Sequence, residues 1–240
     1  MRSFVLALYL LLLPLYARAE PATTFTPTGP SLPPAQRPGH ILDMADGRSF
    51  GWLAAGALTG FFAHEGGHLF ANFVYGNVPR LEGLWAFGLV PFFAISPRIE
   101  CDGYHCTTYD GHEFHGGPRG KLVITSGGFN VQHLTDEILL TRDPTLRYHY
   151  APFRKGLLAF NTLLSIGYTL ASWTRTEDPH GDVSHSAHLA GLSSEVYAGM
   201  LVLPAVFDLY RYFHPDSWWA PWVSRGGKAA FLGVIFAAPR

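Results

Sequence analysis

The apolar run from Phe50 to Tyr75 constrains this chain more than any other stretch, because only His64, Glu65, His68 and Asn72 break it with strongly polar side chains. Built as a helix at about 1.5 Å per residue, the run is longer than the hydrocarbon core of a bilayer, about 30 Å. Polar side chains placed there are costly unless they meet protein partners or a ligand. The composition agrees with a lipid-facing surface. Hydrophobic residues make up 48% and charged residues 15%, whereas soluble domains carry about 25% charge. A net charge of −1 leaves no basic footprint, so no nucleic-acid partner is expected. The 12 histidines, several of them close together, point to metal chemistry.

The first 19 residues read as a secretory signal peptide. Arg2 supplies the positive start, Phe4 to Tyr16 the apolar stretch, and Ala17-Arg18-Ala19 a small-x-small cleavage site. Residues 20–48 are rich in Pro, Thr and Gly and read as an extended linker with no core to bury. Residues 49–240 read as one membrane-embedded domain, multi-pass, with a bacterial inner membrane as its destination. The expected fold class is all-α: a polytopic membrane protein with about four transmembrane helices and a re-entrant or hairpin segment.

The expected spans are 50–75, 121–140, 153–173 and 185–213, the last kinked by Pro204. The hairpin is 81–97, interrupted by Gly83, Gly88 and Pro91. Such a segment is tolerated at membrane depth only where protein buries it or it lines a cavity; a full span is the alternative. Residues 100–120 read as a polar loop, and 231–238 is too short to span. Trp218, Trp219 and Trp222 read as an interfacial belt. Arg80, Arg98, Arg119 and Lys121 in one loop balance Arg142, Arg147, Arg154 and Lys155 in the next, so the positive-inside rule leaves orientation open. Cys101 and Cys106 can close a small disulfide loop in an oxidising compartment, or in the cytosol stay free thiols or weak metal-ligand candidates with His105; insertion by the signal would place them on the cytoplasmic side and count against the disulfide, unless 81–97 itself crosses.

The strongest chemical motif is His64-Glu65-Gly66-Gly67-His68. Residues four apart share a helix face, so both imidazoles can reach one metal ion. Glu65, between them, can serve a water molecule as general base. Zinc with three protein ligands keeps a fourth position for that water and lowers its pKa to about 7.

The stretch HEGGHLFANFVYGNVPRLEGLWAFGLVPFF resembles the site-2 protease family of intramembrane metalloproteases. That family has HExxH in a membrane helix, a glycine eight residues after the second histidine, and then an apolar, glycine-containing hairpin. Here the glycine is Gly76 and the hairpin candidate is 81–97. Lys121-Leu-Val-Ile-Thr-Ser-Gly-Gly-Phe-Asn130 resembles the family's next helix, and Ala159-Phe160-Asn161 the opening of its third core helix. The resemblance covers about 64–165. It implies a zinc metallopeptidase that cleaves a membrane-protein substrate within or beside the lipid bilayer. His64 and His68 would be ligands and Glu65 the catalytic base.

The family's third ligand is an aspartate soon after that Phe-Asn, and this chain has no acid there. Asp182 is the choice for the third ligand, since carboxylate oxygen suits zinc and the residue opens the fourth helical stretch. Its alternative role is a helix N-cap. His185, His188, Asp208 and the pair His133 and Glu137 are rivals. Asn130 is a candidate for holding substrate or an oxyanion, or for an interhelical bond. Asn72 is a candidate support for the metal site. His112 and His115, with Asp110, are candidates for a surface metal or simply solvated loop residues.

Two other readings stand beside the peptidase. Ser126-Gly127 and Ala187-His188-Leu-Ala-Gly191 resemble the rhomboid serine proteases, with Ser126 as nucleophile and His188 as base, though Glu65 between two histidines is then unexplained. A membrane protein that binds metal without proteolysis, or a protease-like pseudoenzyme, is the non-enzymatic alternative. A di-iron membrane oxidase fits less well, because His64 and His68 make the chain's one compact histidine box.

Overall fold

Asp46 stands just ahead of the first apolar run, and its carboxylate accepts the Ser49 amide at 2.7 Å. This N-cap starts helix α1, Gly47–Val74. The helix ends at Tyr75, and Gly76 takes a φ of +68°, a turn that favours glycine. The computed structural model describes residues 39–86, 90–176 and 181–238. The expected signal 1–19, the linker up to residue 38, and the acids Glu177 and Asp178 lie outside the described residues. The end of the expected linker is not free chain. Asp43 is buried, accepting from the amides of His40 and Ala151 and pairing with Lys155 Nζ at 2.8 Å. A buried lysine of α4 (Pro152–Trp173) fixes residues 40–43, which is a partner the linker composition did not reveal.

The pattern of α1 is the reverse of a soluble helix. Gly56, Gly60, His64, Gly67, His68, Ala71 and Asn72 are buried at helical spacing. Trp52, Leu58, Phe62, Phe70 and Phe73 are exposed. Small and polar residues therefore face protein while large apolar ones face out.

The segment 81–97 forms strand β1 (Arg80–Ala86) and strand β2 (Val90–Ser96), paired antiparallel with Arg80 opposite Ser96. The hairpin reading thus holds for the described residues 80–86 and 90–96. Residues 100–120 hold more order than a polar loop. Strands β3 (Ile99–Asp102) and β4 (His105–Thr108) form a second hairpin, in which Cys101 faces Cys106 and the two are disulfide-bonded. The chain is mostly helical, but two strand pairs qualify the all-α expectation.

The expected span 121–140 is two helices, α2 (Gly117–Thr125) and α3 (Gly127–Arg142). The hydroxyls of Thr125 and Ser126 both donate to the Leu122 carbonyl, competing with the backbone ladder where Gly127 and Gly128 follow. The expected single helix 185–213 is also two: α5 (Asp182–Ala190) and α6 (Ser194–Phe213), meeting at 110°. Gly191 ends α5 at φ +69°, and Ser193 caps α6 through the Val196 amide. Pro204 lies inside α6. Residues 231–237 belong to a longer helix, α7 (Ala220–Ala237), which Ala238 ends. Pro221 in its first turn is compatible with a helix, as the missing N–H would be unpaired there.

Helix α1 packs along α4 and α3, α4 on α6, α6 on α7, and α2 on α5. Leu122, Phe129, Val183, Tyr197, Leu201 and Phe231 join five of these helices in one core. Beside it lies a buried ionic cluster. Glu137 accepts from Arg211 Nη1 at 2.7 Å, Arg225 Nε at 2.9 Å and Lys228 Nζ at 2.9 Å. Asp208 meets Lys228 at 2.7 Å and Arg211 at 3.0 Å. Among the described residues no single helix is long and apolar enough to cross a membrane; α5 and α6 pass together, by length and composition, as a bent pair.

Candidate metal centre

His64 and His68 lie one turn apart on the buried face of α1, and their Nε2 atoms are 3.2 Å apart. Asp182 is the first residue of α5, and its Oδ2 lies 3.6 Å from His64 Nε2 and 3.4 Å from His68 Nε2. Among the described residues these three form a cluster whose ligand atoms all lie within 4.8 Å of one another. Asp182 does not cap its helix: the N-cap is Gly181, which has no side chain to do so. A carboxylate in a first helical turn is nonetheless favoured by the helix dipole. Packing of α5 on α2, and of α1 on α2 and α3, brings the acid to the histidines.

The edges of this triangle test its fit to zinc. Tetrahedral ligands at metal distances of 2.0–2.1 Å stand about 3.3 Å from each other; the edges here are 3.2, 3.4 and 3.6 Å. The donor set of two imidazoles and one carboxylate suits the same ion. The imidazole side chains are 3% exposed and the Asp182 side chain 29%, so the cluster opens on the aspartate side.

The surroundings orient the ligands. His68 Nδ1 is 2.8 Å from the Ile124 carbonyl, which can only accept, so Nδ1 carries the proton and Nε2 is left to bind. Ile124 lies in the last turn of α2, where carbonyls lack the donors of a next turn. The break at Ser126 therefore serves the site. Gly67 and Gly127 face each other across α1 and α3, and a Cβ on either would collide with the other's backbone. Gly128 gives room to the His64 ring: a Cβ there would lie within 2.6 Å of three ring atoms. The ring also meets the Phe129 ring edge-on at 5.2 Å. Gly128→Ala is expected to tilt His64 and weaken zinc binding about 10- to 100-fold, comparable to losing an orienting partner. Competition with a fluorescent chelator reads this directly, and unchanged affinity would refute the packing argument.

Glu65 is buried beside the histidines, and its Oε2 accepts the Ile95 amide of β2 at 2.7 Å. The first hairpin thereby holds the candidate base. The hairpin's own foot is tied to α1: Asn77 Nδ2 donates to Asn72 Oδ1 and to the Pro97 carbonyl, while Asn72 Nδ2 donates to the His68 carbonyl at 2.8 Å. Asn72 acts as an anchor of the helix end.

None of the rivals for the third ligand, His185 on the same helix as Asp182 included, belongs to the cluster. Asp208 and Glu137 belong to the ionic cluster, His133 packs on Phe231, and the His188 side chain is exposed. Ser126 is buried and donates to the Leu122 carbonyl at 2.7 Å, whereas His188 is exposed. Asn130 Nδ2 reaches Ser126 Oγ at 3.4 Å, and Asn161 Nδ2 donates to Asp136 at 2.7 Å. His112, His115 and Asp110 are exposed and form no such cluster. Sequence reasoning missed the Ile95 amide and the Ile124 carbonyl, which are backbone atoms any residue can supply. It noticed Gly128 only as part of a motif; the Ser-Gly-Gly run was the available signal for a helix break beside a ring. No family model matches the chain, and comparison with curated proteins and with solved structures gives no match either.

Proposed function

We propose that this chain is a zinc metallopeptidase of the membrane, with His64, His68 and Asp182 as metal ligands and Glu65 as general base. The observation that carries the reading is the triangle of 3.2, 3.4 and 3.6 Å between ligand atoms from two helices distant in sequence, with an acid adjoining it. Zinc held there supplies Lewis acidity, polarising a carbonyl and making water acidic enough to attack near neutral pH. Glu65 takes the proton of the attacking water and returns it to the leaving amine. Ile95 N–H orients the carboxylate for that transfer. The Asp182 side chain is 29% exposed, so the cluster is reached from that side.

A bilayer setting is supported by the inverted face of α1, at 28 residues about 42 Å long. Exposed Leu163, Leu170 and Trp173 on α4 and Leu203 and Val206 on α6 extend the apolar surface. The substrate class follows: a membrane-protein segment able to leave its helix, since a helical peptide bond is shielded.

The test is zinc content of the purified protein, followed by cleavage of a transmembrane peptide. About one zinc per chain is expected in the wild type and in His188→Ala, a rival ligand whose side chain is exposed, and far less in His64→Ala, His68→Ala and Asp182→Ala. Wild-type protein that is folded yet binds no zinc would end the metallopeptidase reading. Zinc without cleavage would leave a metal-binding protein that is not a peptidase.

A further inference from the structure

The two candidate ligand imidazoles are not held alike. His68 Nδ1 faces the Ile124 carbonyl, whereas His64 Nδ1 is buried and makes no hydrogen bond among the described residues. A ring that gives Nε2 to a metal carries its proton on Nδ1, and that proton needs an acceptor. Other buried atoms share this state. Gln132 of α3 is 1% exposed, and neither its Oε1 nor its Nε2 has a partner among the described residues. Asn161 of α4 is 2% exposed; its Nδ2 donates to Asp136 Oδ1 at 2.7 Å, but its Oδ1 accepts from no described residue.

The helices put these atoms in order. A Cβ on Gly128 would lie 2.6 Å from His64 Nδ1, so that atom faces α3 at the Gly128 turn. Gln132 follows one turn later on the same face, and a helical side chain leans back over the turn before it. Gly128 has no side chain to occupy that turn. One turn beyond Gln132 is Asp136, the partner of Asn161. Asn161 Oδ1 would lie 3.2 Å from a Cβ on Gly60, and Gly60 is one turn before His64 on α1. Gln132 thus stands between the level of His64 and the level of Asn161. The unpaired atoms are also complementary. His64 Nδ1–H needs an acceptor, and Gln132 Oε1 is one. Gln132 Nε2–H needs another, and Asn161 Oδ1 is one. Buried polar atoms are costly when unpaired, and this pairing satisfies all of them.

We propose that Gln132 is the positioning residue of His64 in the metal-bound protein. Its Oε1 accepts from His64 Nδ1 and its Nε2 donates to Asn161 Oδ1, joining the ligand to Asp136 through two amides. This rests on the metal-centre reading and deepens it. The chain fixes the tautomer and rotation of the His64 ring, as the Ile124 carbonyl does for His68.

The probe is zinc, added to the full chain in detergent with isotope-labelled imidazole nitrogens. The zinc-loaded wild type is expected to show a slowly exchanging Nδ1–H resonance from each ligand histidine. Gln132→Met matches the side chain in length and removes both polar atoms. It is expected to abolish the His64 resonance, to leave that of His68, and to weaken zinc binding about 10- to 100-fold. The metal-free variant should unfold no more easily than wild type, because unpaired buried atoms have been removed. A merely structural glutamine would lower that stability instead. Gln132→Glu keeps an acceptor at the same place and should keep the His64 resonance. Zinc bound equally by wild type and Gln132→Met, or a His64 resonance that persists in Gln132→Met, overturns the proposal and leaves the metal centre standing. A folded wild type that binds no zinc overturns both.

Discussion

Glu65→Gln protein is expected to keep its zinc and to lose about 10²- to 10⁴-fold in peptide hydrolysis, the range for removal of a general base. The amide matches the carboxylate in shape and still accepts the Ile95 N–H that the Glu65 oxygen accepts at 2.7 Å. It cannot take a proton from water. The fold, the ligand triangle and the hairpin contact should therefore survive. Zinc content and the turnover rate on a transmembrane peptide, measured on the same preparation, separate the outcomes. Activity within tenfold of wild type would remove Glu65 from the mechanism. Loss of zinc would make it a structural or ligating residue instead.

The second large effect is expected far from the metal. Glu137→Ala strips one carboxylate from Arg211, Arg225 and Lys228 together. Arg211 and Lys228 are buried and would keep only Asp208 as an anionic partner among the described residues. Removing one partner of a buried pair costs about 3–5 kcal/mol, because the charge left behind has no water to turn to. Arg225→Ala is the comparison. Its side chain is 33% exposed, and the expected cost is under about 1 kcal/mol. Thermal or denaturant unfolding in detergent measures both. Equal losses would mean that the cluster is more hydrated than its burial indicates.

Asp208 and Glu137 also show where the sequence misleads. An acid in an apolar stretch invites a metal, and both were rivals to Asp182. Three basic residues from α6 and α7 account for them instead, and α7 itself was legible only as the fragment 231–238. Its start is hidden by Pro221, Gly226 and Gly227, which read as breakers although a proline in the first turn is harmless. By contrast, α1 was legible almost to its ends. The length of its apolar run is a local signal, and local signals survive in one dimension. The first hairpin was legible for the same reason. The break at Ser126 and the bend at Gly191 were not, since each sits inside a run with helical composition on both sides.

The metal cluster falls between these cases. His64, Glu65 and His68 announce themselves by spacing. Asp182 was chosen for its carboxylate and its place at the start of the fourth helical stretch, and the structure brings it to the histidines across more than a hundred residues of chain. That meeting depends on helix packing that no periodicity encodes.

The seam between α1 and α3 carries a lesson about how such a protein fails. Gly67, Gly127 and Gly128 contribute no functional group, yet each occupies a place where one added carbon meets backbone or a ligand ring. Their information is volume withheld. A random mutational survey of this chain should therefore find inactivating changes that only add mass, clustered along one line beside the histidines. Many of them would leave every reactive group in the sequence intact. What these three positions contribute is an emptiness, and an inventory of functional groups would overlook it.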